Sequence, residues 1–249
     1  MLSETPMKNV RLLLPYFLIL IIVHPGAVAF GQDSINRVDP SGKKKGRWEK
    51  RDPEGILLYT GQFEADLPVG SFTYYYPGGQ VKALSNHVIP GVMERVVLYH
   101  PNGKVMAKGN YHEAKKDSIW TYYDQDGLLI SDEKYDKGLR SGTWRTYYAN
   151  GNTSEEFYWN RDQKEGPWNQ FYSDGTRKLT AFFTNDRRNG EFHLYFPNTR
   201  LMVSGLYSND KREGEWKYFM EDGRLQKIRQ YRNGYMVSEV VYVEAEQEE

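Results

Sequence analysis

The sequence has no cysteine in 249 residues, only five histidines, and no excess of either charge, since 33 Lys and Arg face 33 Asp and Glu. Without thiols there are no disulfides, no Cys-ligated zinc or iron–sulfur sites and no cysteine nucleophile. A formal charge of zero argues against a strongly basic nucleic-acid binder, so no nucleic-acid partner is expected. A mean hydropathy of −0.75 excludes a multi-span helical membrane protein. Motifs for chemistry are also missing: there is no Gly-x-Ser-x-Gly, no phosphate-binding loop, no Gly-x-Gly-x-x-Gly and no His-Glu-x-x-His. The histidines show no metal-ligand spacing, and acidic pairs such as Asp132-Glu133 and Glu155-Glu156 point to alternate faces instead of converging. The expectation is a protein that is not an enzyme and holds no cofactor or metal.

There is a single long hydrophobic run. Lys8 and Arg11 precede an apolar stretch from Leu12 to Val23, which ends at His24-Pro25-Gly26 and is followed by Ala27-Val28-Ala29. This order of basic, apolar and small residues is that of a secretory signal peptide over residues 1–29, and it predicts export to the periplasm or the extracellular space, with envelope association open. An exported chain without disulfides has to be stable through packing alone.

What the chain does have is aromatic residues, Tyr 20, Phe 11 and Trp 6, and they recur. Gly142-Thr-Trp144, Gly166-Pro-Trp168 and Gly214-Glu-Trp216 lie in one register of 24 residues, which extends to eight starts at 46, 70, 94, 118, 142, 166, 190 and 214. The third position of each unit reads Trp48, Phe72, Val96, Trp120, Trp144, Trp168, Phe192 and Trp216. The tenth is glycine in every unit except the seventh, which has Thr199, and the eighteenth is aromatic or His. The third unit is the most degenerate, with Glu94 and Val96 in place of Gly and Trp. Residues 30–45 read as a polar lead-in, 46–237 as the eight repeats, and 238–249 as a closing strand, Glu239 to Val243, with an acidic tail.

Each unit reads as a β-hairpin. Asn102-Gly103, Asp126-Gly127, Asn150-Gly151, Asp174-Gly175 and Asp222-Gly223 favour a two-residue type I′ turn, and strand-forming Tyr, Trp, Phe, Leu and Val flank them. Placing that turn at the ninth and tenth positions sets Trp48 opposite Gly61, Phe192 opposite Gly205, Tyr207 opposite Gly190, Phe183 opposite Gly166 and Tyr231 opposite Gly214. Alternation then gives an apolar face with the Trp column, the eighteenth-position rings and Leu57, Val81, Val105, Leu129, Leu201 and Leu225. The other face is polar, with one aromatic stripe at the sixth position. The predicted fold is all-β, an elongated antiparallel β-meander built from eight 24-residue hairpin repeats.

The pattern Gly-x-Trp-x-x-Tyr-[Tyr/Phe]-x-x-[Asn/Asp]-Gly, as in Gly142 to Gly151 and Gly214 to Gly223, resembles the MORN-repeat variant. The likeness covers residues 46–234 and extends to exported chains described as YwqK-type antitoxin-like proteins. It implies an antiparallel repeat sheet with a scaffold or binding role.

Two sets of residues are candidates for binding. Tyr75, Tyr99, Tyr123, Tyr147 and Tyr195 form the stripe on the polar face, where rings either stack on a ligand or pack the sheet. Lys115, Lys116, Arg187, Arg188, Lys211 and Arg212 gather on one long edge, either to meet an acidic surface or simply as solvated turns. The partner expected is a protein or envelope component. A glycan or an anionic lipid headgroup is also compatible, and the alternatives are carbohydrate or cell-wall binding and a toxin-neutralising, antitoxin-like role.

Overall fold

The computed structural model describes residues 34–243, so the signal-peptide reading and the acidic tail from 244 onward lie outside the described residues. Within them the chain is all-β and forms one open antiparallel sheet. From Lys44–Arg51 to Tyr235–Val241 each long strand pairs with the long strand before it, and the two-residue strands Leu139–Arg140 and Arg187–Arg188 add to the strands that precede them, which makes a meander. A two-residue strand, Arg37–Val38, adds to the first edge against Lys44 and Lys45. The closing strand starts at Tyr235, four residues earlier than the sequence suggests, because Asn233-Gly234 supplies a tight turn directly before it.

The register expected from the sequence is present: Trp48 pairs with Gly61, Phe192 with Gly205, Tyr207 with Gly190, Phe183 with Gly166 and Tyr231 with Gly214. The turn that produces it is different. In the third unit the Gly103 N–H donates to the His100 carbonyl at 2.9 Å and the His100 N–H to the Lys104 carbonyl at 2.8 Å, so the loop has three residues. Positive φ falls on Gly103 (+83°), and Asn102 keeps a negative φ. This is a type I turn followed by one left-handed residue, not a type I′ turn. The physical reason is that Asn102 Oδ1 accepts the Lys104 N–H at 3.0 Å, and this local ring holds asparagine out of the left-handed region. Asn150, Asp174, Asn198 and Asp222 do the same in their units. The three-residue loop shifts the pairing by one, and a β-bulge shifts it back: Tyr99 pairs with Val105 but Leu98 with Ala107. The same break recurs every 24 residues, from Lys50/Arg51 to Tyr218/Phe219.

The two-residue turns with paired positive φ lie instead in the linkers, as at Ala65-Asp66 (+50°, +70°) and Asn209-Asp210 (+48°, +67°). They hold the array together along that edge. Asp66 donates its N–H to the Lys44 carbonyl and accepts the Lys44 N–H on Oδ1. Asp162 with Arg140, Asp186 with Lys164 and Asp210 with Arg188 repeat both bonds. The opposite edge is laced by side chains: the Tyr76, Tyr148 and Tyr172 hydroxyls donate to the carbonyls of Tyr99, Phe171 and Tyr195 in the next unit.

The bulge also corrects the assignment of faces. It sets the twelfth position opposite the sixth, so Val81, Val105, Leu129 and Leu201 lie beside Tyr75, Tyr99, Tyr123 and Tyr195, away from the Trp column. Every buried side chain among the described residues sits at a third, fourteenth, sixteenth or eighteenth position, all on the Trp face. Trp120 and Trp216 are only 1% exposed although no second layer covers them. Rings of adjacent units close over one another, as Tyr111 packs edge-on against Trp120 at 4.9 Å and Tyr207 against Trp216 at 5.0 Å. The indole N–H groups of Trp120 and Trp216 donate to the Asn110 and Leu206 carbonyls of the preceding strand. Gly109 and Gly205 make room for these rings: a Cβ there would lie within 2.7 Å of Cγ of Trp120 or Trp216, each from the following unit. The ring that covers a sixteenth-position glycine is therefore not the one paired with it.

Candidate binding face

The basic linkers divide into two populations. Lys115, Arg187 and Lys211 are exposed at the turn edge, whereas Lys116, Arg188 and Arg212 are half-buried and swing over the aromatic face. Arg188 sits 4.3 Å from the Tyr207 ring centre, Arg212 4.6 Å from Trp216, and Lys116 4.8 Å from Trp120. Lys44, Arg140 and Lys164 continue the column, 4.7 Å from Phe63, 3.8 Å from Trp159 and 4.1 Å from Phe157. From Lys116 to Arg212 a cation every 24 residues thus lies over rings of the array, as Lys44 does in the first unit, and the alkyl stems cover apolar surface that would otherwise meet water. Half of the basic edge is turned inward onto the sheet.

The tyrosine stripe is half-buried along its length. Tyr147 pairs with Thr153 and donates its hydroxyl to Asp132 at 2.9 Å. Burial, reinforced by that carboxylate, pushes the Tyr147 hydroxyl pKa up to about 12. Lys108 lies 5.5 Å from the Tyr123 ring. Tyr75, Tyr99 and Tyr195 pair with Val81, Val105 and Leu201.

The Trp face opens into a hollow of about 420 Å³ around the second and third units. Its floor is Ala83, Ser85 and Val96, the last standing where every other unit has Trp or Phe. Tyr59, Tyr74 and Tyr111 form its walls, and Tyr75 is the one stripe residue that borders it. Glu94 replaces the glycine found at the first position of most units and enters the hollow, where Ser85 Oγ donates to its Oε1. Ser85 itself is 3% exposed. Burial first, then the Glu94 charge, raises the pKa of the Tyr74 and Tyr111 hydroxyls, which therefore stay protonated. His87 Nε2 lies 3.4 Å from Ser85 Oγ. The three do not form a nucleophile triad, because Glu94 accepts from the serine where a triad carboxylate would orient the histidine. The sequence marks this place only as the most degenerate repeat; Glu94 and Val96 breaking two columns within three residues is the available signal.

The comparisons place these hairpins among known repeats. The model of the MORN repeat variant matches residues 68–88, 95–113, 140–160 and 212–233. In these four stretches the chain carries MORN repeat variants. The matched stretches fall on the second, third, fifth and eighth units, so a MORN repeat here is one hairpin with its flanking linker. No curated protein matches the chain. Among solved structures, S. aureus TarM aligns at 14% identity and TM-score 0.30, over 50% of this chain and 22% of its own. TcdB2-TccC3-TEV aligns at 16% and TM-score 0.22, over 79% of this chain and 12% of its own. A porin-like protein from Bacteroides uniformis aligns at 10% and TM-score 0.20, over 77% and 91%. The chain spans about a fifth of the length of the first of these. At such scores the MORN repeats take no functional argument from these structures.

Proposed function

We propose that the chain is an exported, non-enzymatic repeat scaffold that binds a protein or an envelope component through the aromatic face of its second and third units. The observation that carries this reading is the hollow between Tyr59, Tyr74 and Tyr111, an open concavity in a face that rings and cations close over at Trp120 and Trp216. Concave apolar surface with a few convergent polar groups is where binding energy concentrates. The scaffold part rests on a sheet in which every unit contacts only its neighbours, so a long surface is built from local packing. Export rests on the Leu12 to Val23 run and the small residues after it. The absence of catalytic motifs and the orientation of Glu94 toward Ser85 support a non-enzymatic role.

The test is site-specific photocrosslinking in the native cells with the full chain. A benzophenone side chain at Leu98, in the hollow, is expected to give a discrete adduct that one at Thr121 on the polar face does not. An adduct from Tyr195 alone would move the surface to the tyrosine stripe. No adduct from any of the three positions would refute the scaffold reading.

A further inference from the structure

The hollow adjoins a gap in the cation column, with Glu94 and Tyr111 bordering both. Pro68 and Val92 stand where the 24-residue step from Lys44 to Lys116 calls for two more cations. Each cation before a unit lies over the eighteenth-position ring of that unit, and Lys44, Lys116, Arg140 and Arg212 also lie over its third-position ring, as Lys116 does for Trp120 and Tyr135. Phe72 and His87 in the second unit, and Tyr111 in the third, have no such cap among the described residues. Phe72 and His87 join a connected group of rings behind the hollow: Tyr59 lies 5.9 Å from Phe72 and 5.7 Å from Tyr74, and His87 packs edge-on against Phe72 at 5.1 Å.

The electrostatics point the same way. Glu94 makes no ion pair among the described residues, although its carboxylate sits in the hollow. Lys82 borders the hollow, but its ammonium is directed to the Tyr76 ring, 5.9 Å away. A second hollow on the same face shows the filled counterpart. About 260 Å³ in size, it is lined by Trp144, Phe157, Trp159, Glu133 and Glu155, and the chain's own Lys164 enters it. Rings, carboxylate and cation occur together there; at the second and third units the rings and the carboxylate occur without the cation.

We propose that this hollow accepts a lysine or arginine side chain presented by a partner polypeptide. The charged head lies against Tyr59, Tyr74 and Tyr111 and meets the Glu94 carboxylate, while its alkyl stem runs over Val96 and Leu98. The ligand supplies from outside the contact that the chain supplies for itself in the units that follow. The proposal rests on the scaffold reading and narrows it to one ligand chemistry.

The experiment titrates the full chain with Nα-acetyl-lysine methylamide, its arginine counterpart, the neutral norleucine counterpart and a lysine-rich peptide, read by the methyl resonances of Val96 and Leu98. The cationic amides and the peptide are expected to shift these resonances and the norleucine amide is not. Glu94→Gln should weaken binding by about fivefold or more, because it removes the charge and keeps the hydrogen-bonding shape. Val92→Lys should abolish binding by restoring a chain cation to the column, and Pro68→Lys is a second variant of the same kind should the first perturb the fold. Equal binding of norleucine amide, no shift with any cationic probe, or full binding by both lysine variants overturns the proposal. A partner adduct from Leu98 that persists in the lysine variants also overturns it but leaves the scaffold reading standing. Loss of adducts from every position in the unmodified chain defeats the scaffold reading itself.

Discussion

Thr199 occupies the one tenth position without glycine, and its backbone adopts the same left-handed conformation, φ +67° against +83° to +93° for the seven glycines of the column. The turn is otherwise unchanged, since the Thr199 N–H donates to the Phe196 carbonyl at 2.9 Å, as the Gly151 N–H does to Tyr148. A β-branched residue held there costs about 1–2 kcal/mol. Replacing it by glycine releases that strain and adds about 0.5–1 kcal/mol of unfolded-chain freedom. The side chain is exposed, so no packing is lost. Thr199→Gly should therefore stabilise by about 0.5–1 kcal/mol. Gly151→Ala is the mirror experiment: with φ +86° and no atom within 4 Å of an added Cβ, its cost comes from the backbone alone. It should destabilise by a similar amount. In urea the two midpoints should move in opposite directions by about 0.3 M each. Because a linear array can melt in parts, hydrogen exchange at Phe196 and Tyr148 should localise each effect to its own unit. A Thr199→Gly midpoint at or below that of the parent, or a Gly151→Ala variant without cost, would refute the account.

Gly205→Ala should cost about 1–3 kcal/mol by urea unfolding, because its Cβ would enter the space of the 1%-exposed Trp216 ring, which has nowhere to retreat. Lys164→Met keeps the stem and removes the charge over Phe157 and Phe183; the expected loss is about 1 kcal/mol, and it should persist in 1 M salt, unlike that of an exposed ion pair. The backbone and side-chain N–H groups of Arg140 hold the Asp162 carboxyl pKa below its ordinary value of 3.8; at Asp210 partial desolvation pushes upward and the same bonds from Arg188 outweigh it. A lowered folded pKa gives stability that is present above about pH 3.8 and is lost as pH falls through the folded value. Chemical unfolding followed from pH 6 down to pH 2 should therefore show a steeper acid loss for the parent than for an Asp162→Asn, Asp210→Asn double variant, and equal slopes would count against the staple.

The period, the strands and the pairing of Trp48 with Gly61 were legible because glycine and aromatic columns repeat without an insertion. The turn was misread for a local reason: Asn-Gly is compatible with two hairpin loops, and the Asn102 carboxamide bond that selects between them is invisible in composition. The register came out right because a loop longer by one residue and a bulge of one residue cancel. The bulge did not cancel for the faces, and it carried Val81 and Val105 to the tyrosine side. Lys116 and Arg212 looked like edge charges because spacing alone does not show a side chain folding back over Trp120 or Trp216. The hollow is a property of what Val96 fails to fill, and volume of that kind becomes visible only when neighbouring strands are laid side by side.

The staples along both edges span constant distances, 22 residues from Arg140 to Asp162 and 23 from Tyr148 to Phe171. Such an array is divisible. If residues 142–165 were excised, Arg140 would find Asp186 where Asp162 had been, since Lys164 makes the same bond to Asp186 now. No strand would change its partner class and no turn its type. Units can be gained or lost by in-frame duplication without redesign of the sheet, so the length of this protein is open to change while each hairpin stays fixed. The hollow with its unmatched Glu94 belongs to one pair of units, and its distance from either end could be reset by the same steps.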